Sequence, residues 1–261
     1  MSNKKNMFNV ERMLAIITVF VVLILWIMAT KLGWVSQTLM PSPKKVLDTF
    51  VNIVKEGYKG TSLLGHIAIS MKRLFLAMLY AIIVAIPLGF ASGYSKKIRA
   101  IFETILSFYR PLPPLAYYSL LVLWVGIGDT SKILLLFLAG FSPIYISCMS
   151  AIQRVKEDYI NAAETLGASK LQTFIHVILP SSFPDIFIGV RNALSGTYRT
   201  LVAAEMVAAV SGLGWMVMDA GNYLRSDVIF VGIIIMGITG LLLEKGILLL
   251  EKWLVPWAGK E

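Results

Sequence analysis

Residues 152–185 read IQRVKEDYINAAETLGASKLQTFIHVILPSSFPD, a long polar interval between two apolar runs. Val155, Tyr159, Ala162, Ala163 and Leu166 recur at helical spacing and share one face. Gly167 then breaks the run in the way a C-terminal glycine ends a helix. Ser169, with Gln172 three residues on, is a capping-box start for a second helix. That helix carries Leu171, Phe174, Ile175 and Ile178 until Pro180 stops it. The interval is thus predicted to be a helix, a glycine turn and a second helix. Small alanine side chains at the bend let a partner surface approach the backbone. The same pattern suits a helix pair that merely lines a membrane surface, and periodicity alone leaves both readings open.

The flanks of this interval set the fold class. Ile133–Ala151 and Ile186–Val210 approach the ~20 apolar residues that cross a bilayer, where hydrocarbon offers the backbone no hydrogen-bond partner and a single segment must be helical. Four further segments are similar: Met13–Thr30, Leu74–Phe90, Pro111–Val125 and Val228–Leu243. The predicted fold is therefore an all-α integral membrane bundle of six spans, one transmembrane domain over residues 1–261. The third span is short and rich in proline (Pro111, Pro113, Pro114), and is expected to extend backward through Ile98, Ile101, Phe102 and Ile105 as a kinked helix. Residues 42–57 form a different element. Ser42-Pro43 reads as N-cap and first helical position, Val46, Leu47, Phe50, Val51 and Val54 lie on one side, and Gly57 ends the helix. Such an amphipathic helix is expected on the outer membrane surface. Met13–Thr30 is longer than the ~7–15-residue core of a secretory signal, and no small-x-small site precedes Lys31, so it is read as the first span.

Composition agrees. Of 261 residues, 57% are hydrophobic and 15% charged, against about 25% charged in soluble domains. The mean hydropathy is +0.75. The net charge of +9 comes from Lys and Arg in loops beside apolar runs, a lipid-headgroup pattern rather than a nucleic-acid surface. Cys148 stands alone inside an apolar run, so no internal disulfide forms. There is no G-x-x-x-x-G-K-[ST] phosphate loop, and Gly126-Ile-Gly128 has no strand before it, so ATP is not expected on this chain. His66 and His176 lack metal-ligand spacing, and no nucleophile, base and orienting acid fall into a catalytic pattern. No metal, catalytic residue or cofactor is expected. Trp253 and Trp257 mark a membrane interface. Lys and Arg are nearly as dense in the outer loops as in the inner ones, so charge alone favours an inside N-terminus only slightly.

The fifth span carries Arg191, Arg199 and Glu205. A charge at mid-bilayer costs about 2.5–3.5 kcal/mol on insertion scales, so these groups must face protein or water. At about 100° per residue, Arg191, Ser195, Tyr198, Arg199, Val202 and Glu205 fall on one side. Gly189, Ala193, Gly196, Thr197, Thr200 and Ala204 form a small-residue stripe suited to close helix contact. The polar side either lines a passage or has its arginines snorkelling or paired with Glu205 or helix ends. Guanidinium groups would suit a compact oxyanion.

Asn161-Ala-Ala-Glu-Thr-Leu-Gly167, continuing to Val177-Ile-Leu-Pro180, resembles the cytoplasmic signature of type I ABC importer permeases: Glu-Ala-Ala, three residues, Gly, nine residues, Ile-x-Leu-Pro. The chain departs from it at Asn161, in place of Glu, and at Val177, in place of Ile. The resemblance implies that Asn161, Ala162, Ala163, Glu164, Gly167, Ala168, Ser169, Leu179 and Pro180 belong to a coupling helix seated in a cleft of an ATPase subunit. It also makes that segment, and with it both termini, cytoplasmic. Tyr109-Arg-Pro-Leu-Pro-Pro-Leu-Ala116, Trp124-Val-Gly-Ile-Gly-Asp-Thr-Ser-Lys-Ile-Leu134, Leu201-Val-Ala-Ala-Glu205, Gly212-Leu-Gly214 and Pro256-Trp257 resemble the taurine, sulfonate and nitrate permease branch, taurine permeases most. Implied partners are two ABC ATPase subunits holding ATP and Mg, a second permease copy as a homodimer, and an extracytoplasmic solute-binding protein met by outer turns including Ser211–Trp215. The implied setting is a bacterial inner or plasma membrane, and the implied cargo taurine, with nitrate, another small anion or a vitamin precursor as alternatives. An ion-coupled secondary carrier predicts internal repeats, which are not seen; a channel or scaffold would need no ATPase.

Overall fold

The computed structural model describes residues 2–256, with side chains from residue 13 onward. Eleven helices order themselves along these residues, and apart from an isolated bridge between Tyr58 and Thr61 no strand pairing forms among them. They fall into two compact units. One holds the chain through Leu64 together with Met216–Ile235, and the other holds Gly65–Trp215 and the chain from Met236 on.

In the first unit α1 (Ser2–Lys31) exposes apolar side chains on every side from Met13 to Met28, a surface suited to lipid. Trp26 bonds the Pro41 carbonyl through Nε1 at 3.0 Å and stacks on Phe230. The amphipathic helix α2 (Pro43–Glu56) starts as expected, Ser42 Oγ accepting from the Lys45 amide, and ends at Gly57. Its packed side is Val46, Thr49 and Ile53, which leaves Leu47, Phe50, Val51 and Val54 outward. Thr49 donates to Asp227 at 2.9 Å, and Arg225 grips the same carboxylate. Tyr58 donates to Asp219 at 2.7 Å; burial, helped by that carboxylate, pushes its phenol above the ordinary range.

The second unit is built around α3 (Leu63–Tyr94), whose Leu74, Ala77, Ala81 and Ala85 are fully buried at helical spacing. The helix begins well before the expected Leu74, because Ser70 and Arg73 find partners inside the protein and need not lie in a loop. The expected third span is two helices rather than one kinked helix: α4 (Lys96–Tyr109) and α5 (Pro114–Val125), separated by non-helical Arg110–Pro113. Three prolines within four positions remove too many N–H donors for a kink to absorb, and Pro114 drives Pro113 to an extended φ/ψ of −57/130. Single prolines behave differently, since Pro87 of α3 and Pro143 of α6 (Asp129–Gln153) sit inside helices that continue. Among the described residues five helices are long and apolar enough to cross a membrane, and α5 is a shorter apolar helix. Trp257 lies outside the described residues.

After α6 come α7 (Glu157–Thr165) and α8 (Lys170–Thr173), a π turn at Phe174–Ile178, and α9 (Leu179–Ala208). Pro180 does not stop the second helix. The wider π turn carries the chain into α9 with Pro180 in its first turn, where a missing N–H costs little. The small stripe of α9 packs on α6 as expected. A Cβ added at Gly189 would collide with the Ser147 side chain, so the two helices approach closely there. Cys148 is fully buried on the side of α6 that meets Gly89 of α3. The chain closes with α10 (Leu213–Asn222) and α11 (Ser226–Leu254).

Candidate functional site

The α7–α8 bracket buries little of itself. No residue of α7 is buried, and Leu166 and Leu171, 88% and 66% exposed, stand at the bend. Such a segment needs strong local signals to stay ordered, and it has them. Glu157 and Asp158 occupy the first turn of α7, favourable to the helix dipole. At its end the Gly167 amide bonds Glu164 O at 2.9 Å and the Ala168 amide bonds Ala163 O at 3.0 Å, the paired bonds of a Schellman motif. Gly167 has φ +84, which only glycine adopts without strain, and a Cβ there would meet nothing within 4 Å. The predicted capping box forms in both directions: Gln172 N donates to Ser169 Oγ, and the Ser169 amide donates to Gln172 Oε1 at 2.8 Å. The tip residues Asn161, Ala162, Glu164, Gly167 and Ser169 are exposed, and Ala163 and Ala168 are half-buried beside them. Leu179 and Pro180 lie apart from the tip, half-buried in the first turn of α9. An exposed pair, Arg154–Asp185 at 3.6 Å, closes the base of the bracket.

The polar side of α9 does not act as one stripe. Glu205 points inward and is fully buried. Its carboxylate accepts from Arg73 Nη1 at 2.7 Å, from Ser70 Oγ at 2.8 and 2.9 Å, and from the Gly214 amide at 2.9 Å. Arg73, 3% exposed, also pairs with Asp129 at 2.7 Å and donates to Ser211 O at 2.9 Å. The Gly212 amide donates to His66 Nδ1 and the Leu213 amide to Ser70 Oγ, so side chains satisfy the first amides of α10. Gly212 has φ +119, and a Cβ on it would strike the Glu205 carboxylate. Gly212–Gly214 is thus buried against this cluster, not turned outward as a docking face, which corrects the expectation for the centre of Ser211–Trp215.

The remaining members lie separately. Arg191 pairs with Glu251 of α11 at 3.9 Å. Tyr198 donates to Met236 O at 2.9 Å and lies 2.6 Å from Thr239 Oγ1, and with Ser195 it borders a cavity of 180 Å³. Arg199 is exposed and bonds only the Ser195 carbonyl of its own helix. Arg199 and Glu205 do not pair. The partner of Glu205 is Arg73, which sequence reasoning assigned to an outer loop. A signal was present, since His66, Ser70 and Arg73 recur at i, i+4 and i+7, one face of a helix.

Comparison with known proteins bears on both places. Residues 81–260 match the family model described as binding-protein-dependent transport system inner membrane component. The chain is 42% identical over 248 residues to the taurine transport system permease protein TauC of Escherichia coli K12, covering 95% of this chain and 90% of that protein. It is 34% identical to the putative aliphatic sulfonates transport permease protein SsuC of Bacillus subtilis, over 91% of this chain and 84% of that one. Among solved structures it is similar to the MetNI methionine ABC transporter in inward-facing conformations, with a TM-score of 0.56 and 18% identity, covering 71% of this chain and 95% of that one. That last likeness concerns the fold alone.

Proposed function

The chain belongs to the binding-protein-dependent transport system inner membrane component family, and from that membership we propose that it moves a small sulfonate, taurine first, across the membrane. As a multi-pass permease of an ABC importer it is not itself catalytic. ATP is hydrolysed by a partner ATPase, and a binding protein is the third component. We infer that two copies of this chain pair, that two ATPases bind ATP and Mg, and that both termini face the cytoplasm of a bacterial cell whose inner membrane holds the complex. No cofactor is assigned to this chain.

The observation that carries the coupling role is the ordered but coreless bracket. A segment whose turn and caps are built this fully, yet which leaves Leu166 and Leu171 in the open, is a surface awaiting a partner. Asn161–Ser169 would enter the ATPase cleft, with Leu179 and Pro180 supporting it from α9. Closure of the ATPases on ATP would then move the bracket and switch the spans between inward and outward access. Arg199 is the member of the α9 set left free to face a passage or the second copy. The likeness to the taurine and sulfonate permeases supports the cargo.

Reconstitution with the ATPase and binding protein tests this directly: vesicles should take up taurine only with ATP. Uptake driven by an ion gradient without ATP would make the chain a secondary carrier. Orientation has its own test, because Cys148 is buried and leaves little background. A cysteine replacing Ser169 should react with an impermeant thiol reagent only from the cytoplasmic side, and labelling from outside intact cells would reverse the topology.

A further inference from the structure

We propose that Arg110 is the anion-binding group of a mid-membrane subsite for a compact oxyanion, in a cavity bordered by the α4–α5 break, α6 and α9. The inference rests on the oxyanion-importer reading above and locates where within the chain that anion would be held. The cavity measures 260 Å³, just below the ~300–1,000 Å³ of pockets for drug-sized ligands, and so suits a small solute. Its border includes Arg110, Tyr117, Ser142, Gly196 and Thr200.

Depth follows from helix lengths. The 25 residues of α6 extend about 37 Å, enough for the ~30 Å hydrocarbon core, and Leu138–Pro143 on the cavity lie near its middle. The 12 residues of α5 extend only about 18 Å from the turn shared with the start of α6. Its other end, and with it Arg110–Pro113, therefore stops within the hydrocarbon depth. Irregular backbone at such depth occurs where it is buried in protein or lines a cavity, and broken helices are where membrane carriers place their binding sites. Tyr109 fixes the break against α6 by donating to Leu138 O at 3.1 Å.

The chemistry at the cavity matches a sulfonate. The Arg110 guanidinium makes no ion pair or hydrogen bond with any described residue, so at this depth it is a charge awaiting a counter-charge. A planar guanidinium takes two oxygens of an oxyanion at once. Ser142 brings a hydroxyl to the same border, and the Thr200 hydroxyl beside it donates to Gly196 O of its own helix at 3.1 Å. Pro143 has no N–H, so the carbonyl of Ala139, also on the cavity, lacks its usual intrahelical donor. That leaves an acceptor for the ammonium end of a zwitterion such as taurine.

The test uses the complete transporter in vesicles, with ATP-driven uptake of labelled taurine and of nitrate measured separately and co-purification of the ATPase as the readout of assembly. Arg110→Gln should lower uptake of every anion the wild type carries, roughly 10–100-fold for one charge-assisted contact, in complexes that assemble normally. Arg110→Lys should recover part of it, keeping the charge and losing the fork. Gly196→Leu, which fills the cavity without touching a charge, should also block uptake and decides the matter if Arg110→Gln fails to assemble. Pro143→Ala, which returns a helical donor to the Ala139 carbonyl, should lower taurine uptake more than nitrate uptake. Wild-type uptake in assembled Arg110→Gln, or in assembled Gly196→Leu, overturns the site alone. A wild-type complex that carries neither anion overturns the oxyanion reading and this site with it.

Discussion

The α9–α10 turn and the α7–α8 bend are both built on glycine at positive φ, and they serve opposite ends. At the first, Gly212 brings its backbone against a buried carboxylate, and the amides of Gly212, Leu213 and Gly214 each find a side-chain acceptor within the same unit. At the second, Gly167 faces open space, and the backbone bonds only its own turn. In the bundle, polar atoms that water cannot reach must be matched internally, so polarity there becomes architecture. Outside it, a matched backbone with unmatched side chains is a surface for something else. A charge in the spans of this protein is therefore not by itself a sign of a passage, and Glu205 is the example.

The largest effect should come from breaking the internal match. Glu205→Ala leaves Arg73 buried with only Asp129 and a carbonyl, and should cost about 3–5 kcal/mol, read as a lower melting temperature of the solubilised complex or loss of yield. Arg73→Leu with Glu205→Leu should be milder than either single change, because no lone charge remains. A Glu205→Ala protein as stable as wild type would dissolve the contrast between the two turns.

The bend is tested next, and there the damage should fall on partnership. Gly167→Arg should abolish uptake and ATPase co-purification while insertion into the membrane continues. Gly167→Asn sharpens the point, since asparagine tolerates the left-handed backbone better than most residues and should cost less than ~1 kcal/mol of bracket order. If Gly167→Asn still fails to hold the ATPase, close approach of the partner is what the glycine serves; if it binds normally, conformation is. Arg199→Gln should depress uptake severalfold with assembly intact, whereas a drop in yield at unchanged uptake would place Arg199 with the structural charges. Ser169→Ala should be smallest: loss of the capping box costs about 1 kcal/mol locally, seen as faster amide exchange at Lys170–Thr173 with nearly normal transport.

What could be read in advance follows the range of the interactions. Local signals were legible: the Ser42 cap, the Gly57 and Gly167 stops and the Ser169–Gln172 box depend on residues a few positions apart. The small stripe of α9 was legible too, because its packing needs only a face. The breaks were less so. Pro180 and the Pro111–Pro114 cluster carry the same residue, and whether the helix continues depends on a π turn in one case and on the number of missing donors in the other. Glu205 was seen as needing a partner but not which one, because Arg73 lies 132 positions away, and a charge beside Lys72 at the edge of an apolar run looks like a loop.

The π turn that carries the chain past Pro180 has a mechanical consequence. From Lys170 to Ala208 the backbone is one uninterrupted shaft of 39 residues, about 58 Å at 1.5 Å per residue. Its near end emerges from the exposed bend, and close to its far end sits the carboxylate that Arg73 clamps. A tilt of about ten degrees at the bend, with the shaft rigid, sweeps the far end through about 10 Å. The protein thus has a lever with a handle in the open and a load locked by charge, and Pro184, near the handle, is where such a lever would flex first.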